Sequence, residues 1–350
     1  MTDEVYEKLA DALNRLPNGF PRTPANTEIL ILKRIFSESE ATIASQLSGA
    51  MESIETIAKR VGLPFEQLTT MLSNMARHGL LWFSRVRGEP RFRLAPFIVG
   101  IYEAQIERLD HDLAHLVEKY MRDGGVAGIM KPQPALHRVI PAQRAVKAEW
   151  ILPYDDVKRI LLAAKRFGLR ECICRVQQDH IGRKCSFPTK MCLNFSSTEG
   201  SPRPNEISQK EALEILDKAE EIGLVHTVSN VMEGYGYVCN CCGCCCGIIR
   251  GVTEFGIDDS VAHANYYALI DQDSCLGCGA CIERCQVNAI SEKEGFSVVN
   301  RERCIGCGLC VTGCPNDAAK LLRKPDEEIV DPPADFSTWE QERLRNRGLS

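Results

Sequence analysis

Cys275-Leu-Gly-Cys278-Gly-Ala-Cys281-Ile-Glu-Arg-Cys285 and Cys304-Ile-Gly-Cys307-Gly-Leu-Cys310-Val-Thr-Gly-Cys314-Pro315 are two copies of one pattern, Cys-x2-Cys-x2-Cys-x3-Cys. A repeat of this kind marks a small structural unit that has been duplicated. The chain holds 18 cysteines in 350 residues, and none stands before Cys172 or after Cys314. A disulfide framework belongs in a small secreted domain, whereas clustered Cys-x-x-Cys in a long chain points to thiolates reserved for metal. Met1 to Asn18 reads as a charged amphipathic segment and not as a signal peptide, and no apolar stretch is long enough to span a bilayer, so a cytoplasmic protein is expected. Net charge of -5 offers no general attraction to nucleic acid or an anionic membrane.

Within each copy, close spacing lets three thiolates wrap one iron-sulfur cluster while the fourth cysteine points toward the twin. Crossed ligation follows, with Cys275, Cys278, Cys281 and Cys314 on one cluster and Cys304, Cys307, Cys310 and Cys285 on the other. Gly277, Gly279, Gly306 and Gly308 relieve crowding and free backbone N-H groups to bond cluster sulfur. The region resembles the bacterial-type two-cluster ferredoxins, which implies two 4Fe-4S clusters and electron transfer. One departure is Gln286, where that family usually has proline after the fourth cysteine. A zinc module, or a ferredoxin fold that has lost its metal, is the competing reading, and eight intact ligands at ferredoxin spacing weigh against it.

Upstream lie Cys172, Cys174, Cys185, Cys192, Cys239, Cys241, Cys242, Cys244, Cys245 and Cys246, ten thiols that do not divide into fours: they suit two additional iron-sulfur clusters with two thiols left over, or one with the rest serving a second metal, a reactive disulfide or nothing. Cys172-x-Cys174-x10-Cys185-x6-Cys192 is read as one set, adequate for a further iron-sulfur cluster, with a four-thiolate zinc site as the alternative. Arg175 stands beside it, read either as offsetting thiolate charge or as an exposed or ordinary salt-bridged arginine. Cys239-Asn-Cys-Cys-Gly-Cys-Cys-Cys246 has a thin similarity to the paired cysteines of heterodisulfide reductases, and neighbours such as Cys241 and Cys242 should serve separate sites because they point apart on an extended segment. So many thiols need metal to protect them from oxidation. His180, His226 and His263 are read as structural or solvated before ligand or proton donor.

Outward from the cysteines, the expected fold is α+β: an N-terminal winged helix at 24–97, an amphipathic helix and linker at 98–149, a cysteine-rich middle domain at 150–263, a C-terminal ferredoxin-like two-cluster domain at 264–323 and a polar tail at 324–350. Ser53 to Gly62, Leu63-Pro64 and Phe65 to His78 read as helix, turn, helix, and strands Leu80 to Val86 and Arg91 to Phe97 flank a turn at Arg87-Gly-Glu-Pro90. This resembles the winged-helix fold. Ile101, Ile106, Leu109, Leu113, Leu116 and Val117 predict one long helix over Ile98 to Tyr120, and Gly124-Gly125 with Pro132, Pro134 and Pro141 predicts a linker. A helix is expected from Tyr154 to Phe167, and Ser208-Gln-Lys-Glu211 is a capping box opening a helix that Gly223 ends.

Arg85, Arg87, Arg91 and Arg93 on the wing suit phosphates, yet the would-be recognition helix carries only Arg77 against Glu66. Docking or dimerisation is therefore favoured over DNA binding. No dinucleotide fingerprint or phosphate loop occurs. The reading is an electron-transfer protein or subunit relaying electrons between redox partner proteins. The alternatives are a reductase acting at the middle site and a redox-responsive DNA-binding regulator.

Overall fold

The computed structural model describes residues 2–200 and 205–349. The chain divides into two units: Met1–Pro132 with Gln177–Arg183 and Glu340–Ser350, and Gln133–Val176 with Lys184–Trp339.

In the first unit, helices Ile54–Val61 and Phe65–Arg77 follow one another, the first capped by Ser53 and stopped by Gly62 at φ 75°. Leu68, Leu72 and Met75 form the buried stripe of the second helix. Strands Leu81–Val86 and Glu89–Leu94 pair antiparallel, and Glu52–Ser53 adds to the second of them. Arg87 and Gly88 both take positive φ, 52° and 85°, the backbone a two-residue turn needs to match the strand twist.

The long helix expected over Ile98 to Tyr120 is broken. Val99 sits at φ 59°, short turns cover Phe97–Ile101 and Glu103–Gln105, and regular helix begins only at His111. Asp110 supplies the reason, because its carboxylate accepts the Leu113 N-H at 2.9 Å and starts a new helix inside the apolar pattern. Phe20, Phe97 and Tyr120 lock this region, with ring centroids 4.5, 5.0 and 6.0 Å apart.

The second unit holds every cysteine. Its main sheet runs in the order His137–Ile140, Val225–Ser229, Tyr237–Cys241, Lys190–Ser196, Arg166–Glu171, Glu206–Ile207. Two sequence expectations change here. The stretch expected as a linker contributes the fully buried strand His137–Ile140, and the helix expected from Tyr154 to Phe167 is confined to Val157–Ala163. Phe167 instead joins a strand, where it is buried against the sheet. The Gln209–Ile222 helix carries the capping box of Ser208 and Glu211 and ends at Gly223, φ 90°. Strands Tyr266–Ile270 and Ala319–Arg323 pair around the C-terminal repeat, and Ile290–Lys293 pairs with Phe296–Val299.

Candidate metal centres

Two cavities mark the C-terminal repeat. One is lined by Cys275, Cys278, Cys281 and Cys314, the other by Cys285, Cys304, Cys307 and Cys310. Each thus takes three thiols from one copy and the fourth from its twin. Gly277 N-H points at the Cys275 sulfur, 3.5 Å away, and Ala289 N-H at the Cys285 sulfur, 3.2 Å away. The cavities differ in exposure. Cys278 is exposed and Leu276 beside it is 72% exposed, whereas Cys310 is buried. Burial pushes the Cys307 thiol well up and Cys310 up to about 12, so ionising these ligands needs a cation in the cavity. Four converging thiols and N-H groups aimed at sulfur fit a cubane cluster in each.

The ten middle thiols fall into two groups that cut across the sequence order. Cys185, Cys242, Cys244 and Cys245 bring their sulfurs within 4.8 Å of one another. Cys172, Cys174, Cys192, Cys239, Cys241 and Cys246 fall outside that group and shift one another's ionisation. The set Cys172, Cys174, Cys185 and Cys192 read from the sequence is therefore divided, since Cys185 joins the later cysteines. Strand geometry gathers these six: Cys239 and Cys241 are two apart on one strand and share a face, and Cys192 lies on the neighbouring strand. Cys172 follows the next strand, Cys174 opens the Ile173–His180 helix and Cys246 caps Gly247–Thr253. Cys241 and Cys242 fall in different groups.

Arg175 is 3% exposed and lies against these thiols. Its guanidinium donates to Pro188 O at 3.0 Å and Asn240 O at 2.5 Å, and its Nε has no hydrogen-bond partner among the described residues. Burial works against its charge, but Cys172, Cys242, Cys241 and Cys192 hold it protonated, well above the usual arginine value. Hydrogen bonding to Cys172, then burial, pushes Cys174 and Cys192 well up. These buried thiols cannot all ionise together without added positive charge.

Gln286, the departure from the ferredoxin pattern, accepts a hydrogen bond from Gly243 N-H at 2.8 Å. The approach is so close that a Cβ on Gly243 would lie 1.9 Å from the Gln286 carbonyl oxygen. Arg284 adds to the same junction, donating to Leu309 O, Glu221 O and Glu220 O at 2.8, 2.9 and 2.8 Å. Neither residue was singled out by spacing as a functional contact, because the partners lie far away in sequence.

A polar run ends on Cys241. Ser229 Oγ donates to the Tyr237 hydroxyl at 2.8 Å, that hydroxyl lies 2.8 Å from His137 Nε2, His137 Nδ1 lies 3.2 Å from Thr227 Oγ1, and Thr227 Oγ1 lies 3.5 Å from Cys241 Sγ. Of the three histidines weighed in the sequence, His226 is buried with Nδ1 on Asn240 Oδ1 at 2.6 Å, His263 bonds Asp258 O and His180 is exposed. None joins the four-thiol group.

Burial alone lowers His137 from 6.5 to about 4. The unfolded chain therefore takes up this proton at higher pH than the folded one, and the associated stability is complete above the unfolded value and lost as pH falls through about 4. Between those values the loss amounts to about 3 kcal/mol, at about 1.4 kcal/mol per unit. Urea unfolding of the native chain and of His137→Gln at pH 7 and pH 4 should show a smaller pH slope in the variant. Equal slopes would reject the assignment.

No helix among the described residues is long and apolar enough to cross a membrane. No curated protein matches the chain. Residues 268–321 match the family model of the 4Fe-4S dicluster domain, and with its eight cysteines gathered in two quartets this part of the chain is a ferredoxin-like iron-sulfur domain.

Proposed function

We propose that the chain is an electron relay in which the dicluster domain exchanges electrons with a redox partner protein and shares them with further metal centres held by the middle cysteines. Bound clusters supply one-electron carriers whose potentials follow burial and hydrogen bonding to sulfur. The observation that carries this reading is the 2.8 Å hydrogen bond from Gly243 to Gln286, which ties the loop bearing Cys242, Cys244 and Cys245 to the residue after Cys285. The exposed Cys278 edge is the side open to an outside partner, and the Cys285 side is turned toward the middle thiols.

Gln286→Pro tests this. It restores the usual ferredoxin residue and removes the acceptor for Gly243 while leaving every thiol in place. Iron and sulfide content should be unchanged, and after rapid mixing with a reductant the middle-region absorbance should bleach severalfold more slowly than in the native protein. Identical rates, or a middle region that never bleaches, would sink the relay.

Residues 24–97 fit this scheme as a winged-helix docking or dimerisation module. Arg93 is occupied by Gly49 O, Glu340 and the Trp82 ring, and Arg85 by Gly88 O, which takes two of the four wing arginines away from phosphate. The compartment that suits such a relay is the cytoplasm. A second reading, reduction of a small substrate at the middle region, is favoured by the polar run from Ser229 to Cys241, which can deliver protons alongside electrons.

A further inference from the structure

Resting on the reading that the middle cysteines hold metal, we propose that Cys185, Cys242, Cys244 and Cys245 bind one tetrahedral divalent ion, zinc or ferrous iron, and that this site holds no iron-sulfur cluster.

The spacing of the sulfurs is that of a single ion. A metal-thiolate bond of about 2.3 Å puts the sulfurs of a tetrahedron about 3.8 Å apart. The Cys244 and Cys245 sulfurs are 3.7 Å apart, and all four sulfurs lie within 4.8 Å of one another. In a cubane each thiolate binds a different iron, and those irons stand off from the cluster's centre, so its four sulfurs spread wider than they do around one ion. Cys244 and Cys245 can share the ion although they are adjacent, because residues 243–245 form a turn that the Cys246 N-H closes on Cys242 O at 3.2 Å. The donors are sulfur throughout, which suits zinc or a lone iron and not magnesium or calcium.

Contacts from distant parts of the chain hold that spacing. Arg175 joins the two segments that supply the thiols: its guanidinium donates to Pro188 O, beyond Cys185, at 3.0 Å and to Asn240 O, before Cys242, at 2.5 Å. Gly243 is held on both sides, its N-H by Gln286 Oε1 at 2.8 Å and its carbonyl by Thr253 Oγ1 at 3.0 Å. Cys242 and Cys245, each 1% exposed, pack with Met191, Ala219 and Leu224, and Cys185 and Phe187 lie against them. A site fixed from so many directions would have to break these contacts to open around a cubane. Binding exchanges the thiol protons for one divalent cation and leaves the site negative. Arg175, buried with no carboxylate partner among the described residues and 5.9 Å from the Phe187 ring centroid, offsets part of that charge. Cys244 is the exposed member of the group, so solvent reaches the ion from its side.

The test is iron, zinc and acid-labile sulfide per full-length chain purified without oxygen, with native mass spectrometry of the same sample. A cubane carries about four iron and about four sulfide, so in the native chain iron and zinc together should exceed sulfide by one ion. Cys185→Ser and Cys244→Ser should each lose that one ion and no sulfide, and the mass of the lost ion tells zinc from iron. The paramagnetic signals of the reduced ferredoxin clusters report that each variant has folded, and the excess in the unmutated chain stands independent of any variant. Metal equal to sulfide at ~12 iron or more, variants that lose no metal, or variants that lose about four iron with about four sulfide would overturn the inference while leaving the relay intact. A native content of ~8 iron with equal sulfide and no zinc would overturn both. The same ~8 iron with one zinc would uphold the inference and leave the relay no electron carrier in the middle region.

Discussion

Cys285→Ala is expected to empty the site built on the second repeat and spare the one built on the first, although Cys285 belongs to the first repeat in sequence. Its sulfur lines the cavity with Cys304, Cys307 and Cys310, and it accepts the Ala289 N-H at 3.2 Å. Its neighbours in sequence, Cys275, Cys278 and Cys281, line the other cavity with Cys314. A cubane that loses a terminal thiolate is open to solvent and hydrolysis, so about four iron should be lost. Iron analysis with paramagnetic spectra of the reduced protein checks it through a pattern across variants. Cys285→Ala and Cys304→Ala should delete the same signal, and Cys275→Ala and Cys314→Ala the other. If Cys285→Ala instead behaves like Cys275→Ala, ligation runs along the chain and the crossed arrangement fails.

Arg138→Leu should destabilise the second unit by about 3–5 kcal/mol, the usual cost of leaving one member of a buried ion pair behind. Arg138 is 3% exposed and its Nη1 lies 2.6 Å from Asp155 Oδ1, while its Nε donates to Val231 O at 3.2 Å. Tyr154 and Tyr235 flank the guanidinium at 5.3 and 5.6 Å. Asp155 is 2% exposed and its Oδ2 has no hydrogen-bond partner among the described residues, so leucine would leave a carboxylate with nothing to offset its desolvation. Burial already outweighs the pull of Arg138 and raises Asp155 to about 6. An acid whose folded value is raised adds stability that is complete below its unfolded value and fades as pH rises through the folded one. Without Arg138 that folded value climbs further, so the deficit of the variant should be larger at pH 7 than at pH 5. Urea midpoints at the two pH values decide it. A deficit below about 1 kcal/mol at pH 7 would mean that water or chain relaxation replaces the arginine.

Local features of the fold were legible where one segment contains both cause and effect. Ser208 and Glu211 cap each other across three residues, and Gly223 ends the same helix. The paired strands of the hairpin meet through Arg87 and Gly88. Periodicity misled where a polar residue interrupted an apolar run. The stripe from Ile101 to Val117 has helical spacing throughout, and only the competing cap of Asp110 breaks it. His137–Ile140 lay hidden among prolines, because a short strand buried on both sides leaves no alternation to read.

The two kinds of cysteine cluster mark the same boundary. For the ferredoxin repeat, sequence alone sorted the eight thiols into the two quartets that line the cavities, because three of each four lie within one short loop and the duplication places the fourth. For the middle region it showed that thiols are concentrated and that Cys241 and Cys242 belong to separate sets, but it could not say which thiols share a site. That partition was decided by the order of strands Tyr237–Cys241, Lys190–Ser196 and Arg166–Glu171 in the sheet. Their hydrogen-bonded register brings Cys172, Cys192 and Cys239 together across nearly seventy residues of chain and sends Cys185 to a different set. Ligands within one turn are positioned by local backbone geometry, whereas ligands on separate strands are positioned by long-range pairing, which leaves no spacing in the sequence to read.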